Sequence, residues 1–380
     1  MLLNLNVEEY LDNLKELVNT ESHSKMPEGT RQVAMLLKEK FDQLGWLTEI
    51  IELGEQSGPC LKVTNKPAEK YDVLLLGHMD TVFPQGTVAK RPFKIVGEHF
   101  TGPGASDMKC GLLYMYYLAK YRTAANLQNQ GAICLLFNPD EEIGSGYSRP
   151  VIEQEAKKAA NVFIMESARA NGALVNQRKG ISSYTITFNG IAAHAGVDPD
   201  KGASAINEFI RWGQEIIALA NKEKGTTINI GIVNGGTGAN IVADKAICEV
   251  DVRITEVEEA MRIDRRIREL QQNPFDTRVK VDVDGGYKRP PFNPSEQSLA
   301  LCRETDAIAA ELGIDLTWTT TGGGSDGNFT AALGIPTIDG LGPIGGNAHS
   351  EREYGEINSL APRFELLYKL TDKLTKNSSL

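Results

Sequence analysis

The 380-residue sequence lacks the marks of several protein classes. Its five cysteines are widely spaced and form no CxxC pair, which argues against a disulfide framework and against a thiolate zinc site. Cys134 and Cys248 lie in apolar, strand-like runs and are expected to be small core residues. No hydrophobic run is long enough to span a bilayer, so an integral membrane protein is not expected.

The sequence also has fewer basic residues than acidic residues. The chain has 40 Lys and Arg against 50 Asp and Glu, and this balance argues against nucleic acid or an anionic membrane as the main partner. The first residues, MLLNLNVEEYLDNLKELV, include acidic side chains where a secretion signal requires basic ones. We therefore expect a cytoplasmic protein with no nucleic-acid partner and no membrane partner.

Buried strands alternate with helices in the N-terminal part of the chain. The apolar runs at 72–80, 131–137 and 161–166 predict strands, whereas the helical spacing of apolar residues at 31–46 and 110–121 predicts helices. Continuous apolar runs are typical of strands that helices cover on both faces. This alternation predicts an α/β domain, in which ligands gather at the carboxyl ends of the strands.

The pattern changes near residue 180. Alternating, strand-like segments such as ISSYTITF and KAICEVDVRI occur there with two helical stretches, and the first pattern resumes after RVKVDVDGGY. We therefore predict an α/β fold with a mixed, helix-covered sheet at 1–178 and 288–380. A smaller α+β domain at 179–287, of a common domain size, interrupts it.

All three predicted strands end in residues that can bind a metal ion. His78 and Asp80 end the first, Glu141 and Glu142 follow the second, and Glu166 ends the third. Adjacent carboxylates repel one another, so their clustering at a strand end needs a compensating charge. Imidazole and carboxylate ligands suit divalent ions, and two zinc ions about 3.5–4 Å apart that share a carboxylate would supply that charge.

The other candidate functional residues have simpler interpretations when each is taken alone. An aspartate such as Asp107, between a glycine turn and a helix, is more often a helix N-cap. A single loop histidine such as His349 is usually solvated. An arginine on an alternating strand, such as Arg253, more often lies on a solvated face, and His194 alone would be an ordinary strand-end histidine. The metal-site interpretation therefore depends on the whole set occurring together.

The order of the motifs is similar to that of a known family. The sequence closely resembles the two-zinc exopeptidases in the order of GHMDTVF, GPGASDMKCG, NPDEEIGS, MES, GIAAHAGVDPDKGASAI, NIVADKAICEVDVRI, GGGSDGNF and NAHSEREY. That family includes glutamate carboxypeptidase (carboxypeptidase G), succinyl-diaminopimelate desuccinylase, acetylornithine deacetylase, aminoacylase and related dipeptidases. The resemblance covers nearly the whole chain and is closest to glutamate carboxypeptidase.

The resemblance implies a role for each residue of the metal set. His78 would bind one zinc ion and His349 the other, and Asp107 would bridge the two ions beside a peptide bond that is often cis. Glu142 and Glu166 would complete the ligands. Two zinc ions per chain are expected, with cobalt or manganese as alternatives.

The resemblance also implies catalytic roles. Glu141 would be the general base and then the acid that protonates the leaving nitrogen, and Asp80 would hold His78 in its metal-binding orientation. His194 would reach into the partner subunit's site and donate a hydrogen bond to the oxyanion, so a homodimer is expected. The larger domain would be the zinc-binding catalytic domain, and the smaller one would be a lid and dimerisation domain.

The substrate-binding residues implied by the resemblance lie in the last two thirds of the chain. Arg253 would bind the free carboxylate of the substrate, because a planar guanidinium suits a bidentate contact. Asn240 and the backbone of Gly324 would donate hydrogen bonds to the same carboxylate. The neighbouring Arg178 and Lys179 would either attract an acidic side chain or mark a hinge surface.

Within the family, glutamate at the MES position goes with carboxypeptidases and N-acyl hydrolases, whereas aspartate goes with aminopeptidases. This chain has Glu166. We therefore predict a zinc metallopeptidase that cleaves the amide bond to a C-terminal amino acid, from a small peptide or N-acyl amino acid with a free carboxylate. The alternatives are an N-acyl amino acid deacylase, desuccinylase or dipeptidase of the same family and, more remotely, a catalytically silent metal-binding protein.

Overall fold

The computed structural model describes residues 5–377, which form two compact units. The larger unit contains the chain up to Gln177, then Asn293–Thr321, then the residues from Ser325 onward. The smaller unit contains Arg178–Phe292 and Gly322–Gly324. None of the helices in this described range is long and apolar enough to cross a membrane.

The unit boundaries differ slightly from those predicted from the sequence. The predicted return at 287/288 lies inside a strand, Lys280–Arg289, whose pairing with its neighbour keeps these residues in the smaller unit. The sequence predicts Gly324 in the larger domain, but this residue clusters with the smaller unit. The physical reason is that Arg178 and Arg253 both donate hydrogen bonds to carbonyl groups of this glycine segment.

The larger unit contains helices on both sides of a central sheet. Its helices are α1 (Val7–Val18), α2 (Pro27–Gln43), α3 (Thr87–Lys90), α4 (Cys110–Ala124), α5 (Arg149–Ala156), α8 (Glu296–Glu311), α9 (Gly327–Ala332) and α10 (Leu360–Asn377). Its strands are β1 (Leu47–Ile51), β2 (Cys60–Thr64), β3 (Val73–His78), β4 (Lys94–Val96), β5 (His99–Thr101), β6 (Ile133–Asn138), β7 (Val162–Ile164), β8 (Leu174–Arg178), β13 (Trp318–Thr321), β14 (Thr337–Asp339), β15 (Gly345–Gly346) and β16 (Tyr354–Glu356).

The central sheet is mixed, as the sequence predicts. Its order is β1-β2-β6-β3-β7-β14-β8-β13, with β6, β3, β7 and β14 parallel and with antiparallel pairs toward both ends. Alternate residues of β3 belong to two core clusters, with Val73 and Leu75 in one and Leu74 and Leu76 in the other. This is the arrangement expected of a strand that is covered on both faces.

A second, small sheet lies in the same unit and is not predicted by the sequence. Its order is β15-β16-β5-β4, and all the pairs are antiparallel. These strands have only two or three residues each, which is too short for an alternating pattern to stand out. The sheet matters for the site because the loop 347–353 connects β15 to β16.

The smaller unit is an antiparallel sheet with two helices packed on one face. Its strands are β9 (Gly180–Asn189), β10 (Thr227–Gly235), β11 (Lys245–Ile254) and β12 (Lys280–Arg289), and its helices are α6 (Ala205–Ala218) and α7 (Val257–Gln272). The sheet order is β10-β11-β9-β12. Tyr184, Ile186 and Phe188 of β9 are buried with Trp212 of α6, while the residues between them lie on the opposite face.

Candidate functional site

Three neighbouring parallel strands bring their carboxyl ends to one edge of the central sheet. β6, β3 and β7 are adjacent in that order. His78 is the last residue of β3, Glu142 lies in the short turn Glu141–Ile143 that follows β6, and Glu166 follows β7. The carboxyl ends of parallel strands meet at one edge, and this places the three side chains together.

Asp107 enters the site from the segment that precedes α4. It is joined to Met108 by a cis peptide bond, as the family resemblance implies. The residue at the N-cap position of α4 is Lys109, so Asp107 is not the cap of this helix. A Cβ at Gly77 would lie 2.6 Å from Met108 Cε, so glycine in β3 lets this segment approach the strand that ends in His78.

His349 enters from the loop between β15 and β16. Its φ of 62° lies in the left-handed region, which is uncommon for residues other than glycine and often marks a functional position. Although its side chain is 55% exposed, its Nε2 atom lies 3.2 Å from Asp107 Oδ2 and 3.0 Å from Glu142 Oε2. The loop histidine is therefore part of the cluster and is not simply solvated.

The five side chains form two groups that share Asp107. In the first group, His78 Nε2 lies 3.1 Å from Asp107 Oδ1 and 3.4 Å from Glu166 Oε1. The second group contains Asp107, Glu142 and His349, and within each group the possible ligand atoms all lie within 4.8 Å of one another. One oxygen of Asp107 faces each group, which is what a carboxylate must do to bridge two cations.

The hydrogen bonding of His78 fits a metal ligand. Its Nδ1 lies 3.0 Å from the backbone carbonyl oxygen of Asp80, which can only accept, so the ring proton is on Nδ1 in the neutral form. The lone pair of Nε2 then faces oxygens of both Asp107 and Glu166. Lone pairs that face one another repel, so this arrangement fits a positive charge between them, which either a proton on Nε2 or a metal ion supplies.

The titration behaviour of the cluster also indicates an affinity for positive charge. Burial and the charge of Asp107 raise the pKa of Glu166 to about 7. Hydrogen bonds with Asp107 and Glu142 raise the pKa of His349 to about 11. Burial lowers the pKa of His78, but the charge of Glu166 and hydrogen bonds with Asp107 and Asp80 outweigh it and raise that pKa well above its ordinary value. The carboxylates therefore stabilise cations strongly at this edge.

The donor set as a whole fits a pair of divalent ions. Each group offers one imidazole nitrogen and two carboxylate oxygens, which are ligands suited to zinc, manganese or cobalt. Glu142 Oε1 is buried and has no hydrogen-bond partner among the described residues. A buried oxygen without a donor is costly, and a nearby cation would compensate it.

Asp80 fixes several parts of the site at once. It is fully buried, and its carboxylate accepts hydrogen bonds from the Ser24 hydroxyl at 2.6 Å and from the backbone N–H groups of Glu141 and Glu142, each at 3.1 Å. Its Oδ1 also lies 3.4 Å from His78 Nδ1. One carboxylate thus positions His78 and the turn that carries both glutamates.

In the smaller unit the structure brings His194 and Asn240 together. The backbone carbonyl of Asn240 accepts a hydrogen bond from Ala195 N–H at 2.9 Å, and His194 forms a bridge with Ile241. His194 is exposed, and its Nδ1 accepts from Gly196 N–H at 3.1 Å. The neutral ring therefore carries its proton on Nε2, where it can be donated.

The same unit brings Arg253 and the glycine segment together. Arg253 Nε donates to Asp251 Oδ2 at 2.8 Å, and Arg253 Nη1 donates to the carbonyl of Gly322 at 3.2 Å. The buried Arg178 donates to the carbonyl of Gly324 at 3.3 Å. These contacts fix the plane of the Arg253 guanidinium and hold the backbone of Gly324 beside it.

Sequence reasoning misses two features of the site. Asp140 Oδ2 accepts hydrogen bonds from the N–H groups of Tyr147 and Ser148, and so joins the turn that carries Glu141 and Glu142 to the start of α5. Glu353, which has no role by resemblance, is fully buried and accepts hydrogen bonds from the backbone around Asp107. The sequence gives only a weak signal for Glu353, namely its position as an acidic residue shortly after His349.

Known proteins and one family model match this chain over most of its length. The sequence model of peptidase family M20/M25/M40 matches residues 74–373. Carboxypeptidase G2 from Pseudomonas sp. (strain RS-16) is 31% identical, over 94% of this chain and 87% of that protein. Succinyl-diaminopimelate desuccinylase from Bordetella avium (strain 197N) is 27% identical, over 93% of this chain and 95% of that protein.

The fold is shared with solved structures. A tripeptidase from Staphylococcus aureus subsp. aureus Mu50 superposes with a TM-score of 0.81 at 24% sequence identity, covering 98% of this chain and 99% of that one. This likeness extends over both units, so the interrupted two-unit architecture is that of a known fold.

Proposed function

Because this chain belongs to peptidase family M20/M25/M40, and is thus a metal-dependent peptidase or amidohydrolase, we propose that it is a carboxypeptidase. It would hydrolyse the amide bond to a C-terminal amino acid in a small peptide or N-acyl amino acid, and glutamate is the first amino acid to test. The similarity to carboxypeptidase G2 supports this choice. The two ligand groups that share Asp107 are the observation that carries the metal-dependent hydrolase, whichever amide substrate it cleaves.

The residues of the two groups would hold two divalent ions, which we propose to be zinc, with cobalt and manganese as alternatives. One ion would be held by His78, Glu166 and Asp107. The other would be held by Glu142, His349 and the same Asp107. Ions bound there would supply Lewis acidity and make water more acidic. The larger unit is then the catalytic domain.

Glu141 is the proposed general base. It follows β6 beside Glu142, belongs to neither ligand group, and has its backbone fixed by Asp80. Its carboxylate would take a proton from the attacking water and then deliver it to the leaving nitrogen. His194 would donate from Nε2 to the oxygen that becomes negative, since its Nδ1 already accepts a hydrogen bond.

Arg253 is the proposed anchor for the free carboxylate of the substrate. Its Nε and Nη1 atoms are engaged by Asp251 and Gly322, so the guanidinium is held in one orientation before substrate binds. Asn240 and the backbone N–H of Gly324 would add donors. A carboxylate anchor restricts cleavage to the terminal amide bond, which is the defining property of a carboxypeptidase.

We also propose that the smaller unit is a lid that forms a homodimer. β10 is an edge strand, and α6 packs beside it. Ile210 and Ile217 of α6, together with Ile232 and Val233 of β10, are each about half exposed. Exposed apolar side chains next to an open strand edge are typical of a surface that pairs with a second copy.

A second candidate activity is N-acyl amino acid deacylation or desuccinylation, which the similarity to succinyl-diaminopimelate desuccinylase favours. The same metal groups would serve a dipeptidase as well. A catalytically silent metal-binding protein is a remote alternative, because every residue of the two groups and Glu141 are present.

Substrate panels and metal analysis test the proposal together. Purified protein is assayed on N-acyl-glutamates, N-acyl-ornithines, succinyl-amino acids and dipeptides, each with a C-terminal carboxamide counterpart, and its metals are counted by elemental analysis. We expect cleavage of acyl-glutamates, little cleavage of the carboxamides, and two ions per chain. Faster cleavage of acyl-ornithines or succinyl compounds would favour the second candidate. Full activity after exhaustive chelation would contradict both.

A further inference from the structure

Glu353 is a buried carboxylate at the base of the loop that carries His349. The loop 347–353 leaves the small sheet after β15 and returns to it at β16, and Glu353 comes immediately before β16. Its side chain is completely inaccessible to solvent. A buried carboxylate is costly unless hydrogen bonds or charges compensate it, so its presence at this position requires a physical reason.

The compensation comes from the backbone of the segment that presents Asp107. Glu353 Oε1 accepts from Ser106 N–H at 2.8 Å and from Asp107 N–H at 3.1 Å, and Oε2 accepts from Gly104 N–H at 3.3 Å. Three N–H groups that no helix or strand uses are thus satisfied by one side chain. One of them belongs to the residue that is shared by both ligand groups.

The two segments also pack closely at a second point. A Cβ at Gly345 in β15 would lie 1.9 Å from Ser106 Oγ, so the sheet that supports the histidine loop approaches the Asp107 segment as closely as glycine permits. Beyond this contact, His349 Nε2 lies 3.2 Å from Asp107 Oδ2. The loop therefore meets the Asp107 segment at its base through Glu353 and at its tip through His349.

We propose that Glu353 is a positioning residue for the metal centre. It joins the loop that supplies His349 to the backbone that supplies Asp107, so that the atoms of the second ligand group lie at the spacing that an ion requires before the ion binds. This inference rests on the proposed metal centre. Its physical basis is that a ligand set held in place by hydrogen bonds loses less conformational entropy when it closes around an ion.

The test compares metal binding in two variants at this position. Glu353→Leu fills nearly the same volume but accepts no hydrogen bond, whereas Glu353→Gln keeps one side-chain oxygen that can accept from Ser106 and Asp107. The chelator-stripped proteins are titrated with zinc against a competing chelator. We expect Glu353→Leu to raise the zinc dissociation constant of one site by about 10–100-fold, and Glu353→Gln to stay within about threefold of the parent protein.

A control and a second measurement make the outcomes distinct. Glu351→Gln alters an exposed carboxylate in the same loop and should leave zinc affinity unchanged. Amide hydrogen exchange in the apo proteins should rise at residues 104–107 in the leucine variant more than in the glutamine variant. Parent-like zinc affinity in the leucine variant, even with a lower unfolding temperature, would overturn the inference, as would equal losses in both variants. If the parent protein itself binds no zinc, the proposed function fails instead.

Discussion

Glu141 and Glu142 are neighbours in the chain, but their side chains have different surroundings. The Glu142 side chain is only 6% exposed and contacts His349, whereas Glu141 belongs to neither ligand group. Asp80 accepts the backbone N–H of both residues, so the peptide planes of the pair are fixed. Two adjacent carboxylates can therefore take two roles, one as a metal ligand and the other as a base.

The division of roles predicts opposite behaviour for two matched variants. Glu141→Gln should lower kcat by about 10²–10⁴-fold, because an amide cannot take a proton from water, while the metal content stays as in the parent protein. Glu142→Gln should instead weaken metal binding, since a neutral amide is a poorer ligand than a carboxylate. Kinetics and elemental analysis of both proteins check this. Loss of metal in Glu141→Gln would mean that Glu141 is not acting as the base.

Arg253 predicts a dependence on the charge of the substrate. Arg253→Ala should lower kcat/KM for substrates with a free carboxylate by about 10–100-fold, the usual loss when a charge-assisted hydrogen bond is removed. The same variant should cleave the matching carboxamide substrates about as slowly as the parent protein does. Arg253→Lys should recover only part of the loss, because a single ammonium nitrogen lacks the planar fork that contacts Asp251 and Gly322 through two different nitrogens and still presents donors to a carboxylate. Equal losses on both substrate series would place Arg253 in a purely structural role.

Part of the proposed metal set can be predicted from position in the sequence, because three of its members follow apolar runs that are easily identified as strands, whereas Asp107 and His349 join the set only through the family resemblance. His78 and Glu142 are found by their position at strand ends. Glu353 cannot be found in this way, because its partners are backbone N–H groups as far as 249 residues away in the chain. Backbone groups carry no signature in the sequence, and only the fold shows which carboxylate satisfies them.

Periodicity in the sequence predicts the long helices and strands but not their order in the sheet. The helix predicted at 110–121 is α4, and the strand predicted at 72–80 is β3. No local pattern shows that β3 lies between β6 and β7, and yet this order brings together the three strand ends that carry the proposed metal ligands. Long-range pairing depends on packing between distant segments, which local propensity does not encode.

The packing of α4 against the strand end beside it gives a stability prediction. A Cβ at Gly111 would lie 1.9 Å from the carbonyl oxygen of Met165, which precedes Glu166. Gly111→Ala should therefore lower stability by about 1–3 kcal/mol, despite the higher helix propensity of alanine, because backbone must move to admit the methyl group. The apparent midpoint of urea unfolding measures this, and activity should fall as Glu166 shifts.

A matched glycine provides the control. Gly146 has open space where a Cβ would be, with nothing within 4 Å. Gly146→Ala should change stability by no more than about 0.5 kcal/mol, as for most surface substitutions. Equal midpoints for the two alanine variants would show that α4 can move away from Met165 at little cost.

The exposed apolar face that α6 and β10 form on the smaller unit predicts the oligomeric state of the protein. Ile217→Asp on α6 should weaken the proposed dimer by about tenfold or more, since it places an unpaired charge in an apolar contact. Met261→Asp on α7 is the matched control, because Met261 is as exposed as Ile217 but lies on the helix that packs against the opposite edge strand, β12. Sedimentation velocity over a range of protein concentrations measures both variants. A parent protein that stays monomeric at high concentration would contradict the dimer.

The proposed exchange of His194 between subunits predicts the activity of mixed dimers. We expect Glu141→Gln and His194→Ala each to be nearly inactive alone. If His194 acts in the partner's site, a mixed dimer contains one site with an intact Glu141 from one chain and an intact His194 from the other. Random assembly of equal amounts makes half the dimers mixed, so activity should return to about a quarter of that of the parent protein.

Glu141→Gln mixed with Arg253→Ala should recover nothing, because both residues would serve the same chain's site. No recovery in the first mixture, with subunit exchange verified by tagged chains, would mean that each chain uses its own His194.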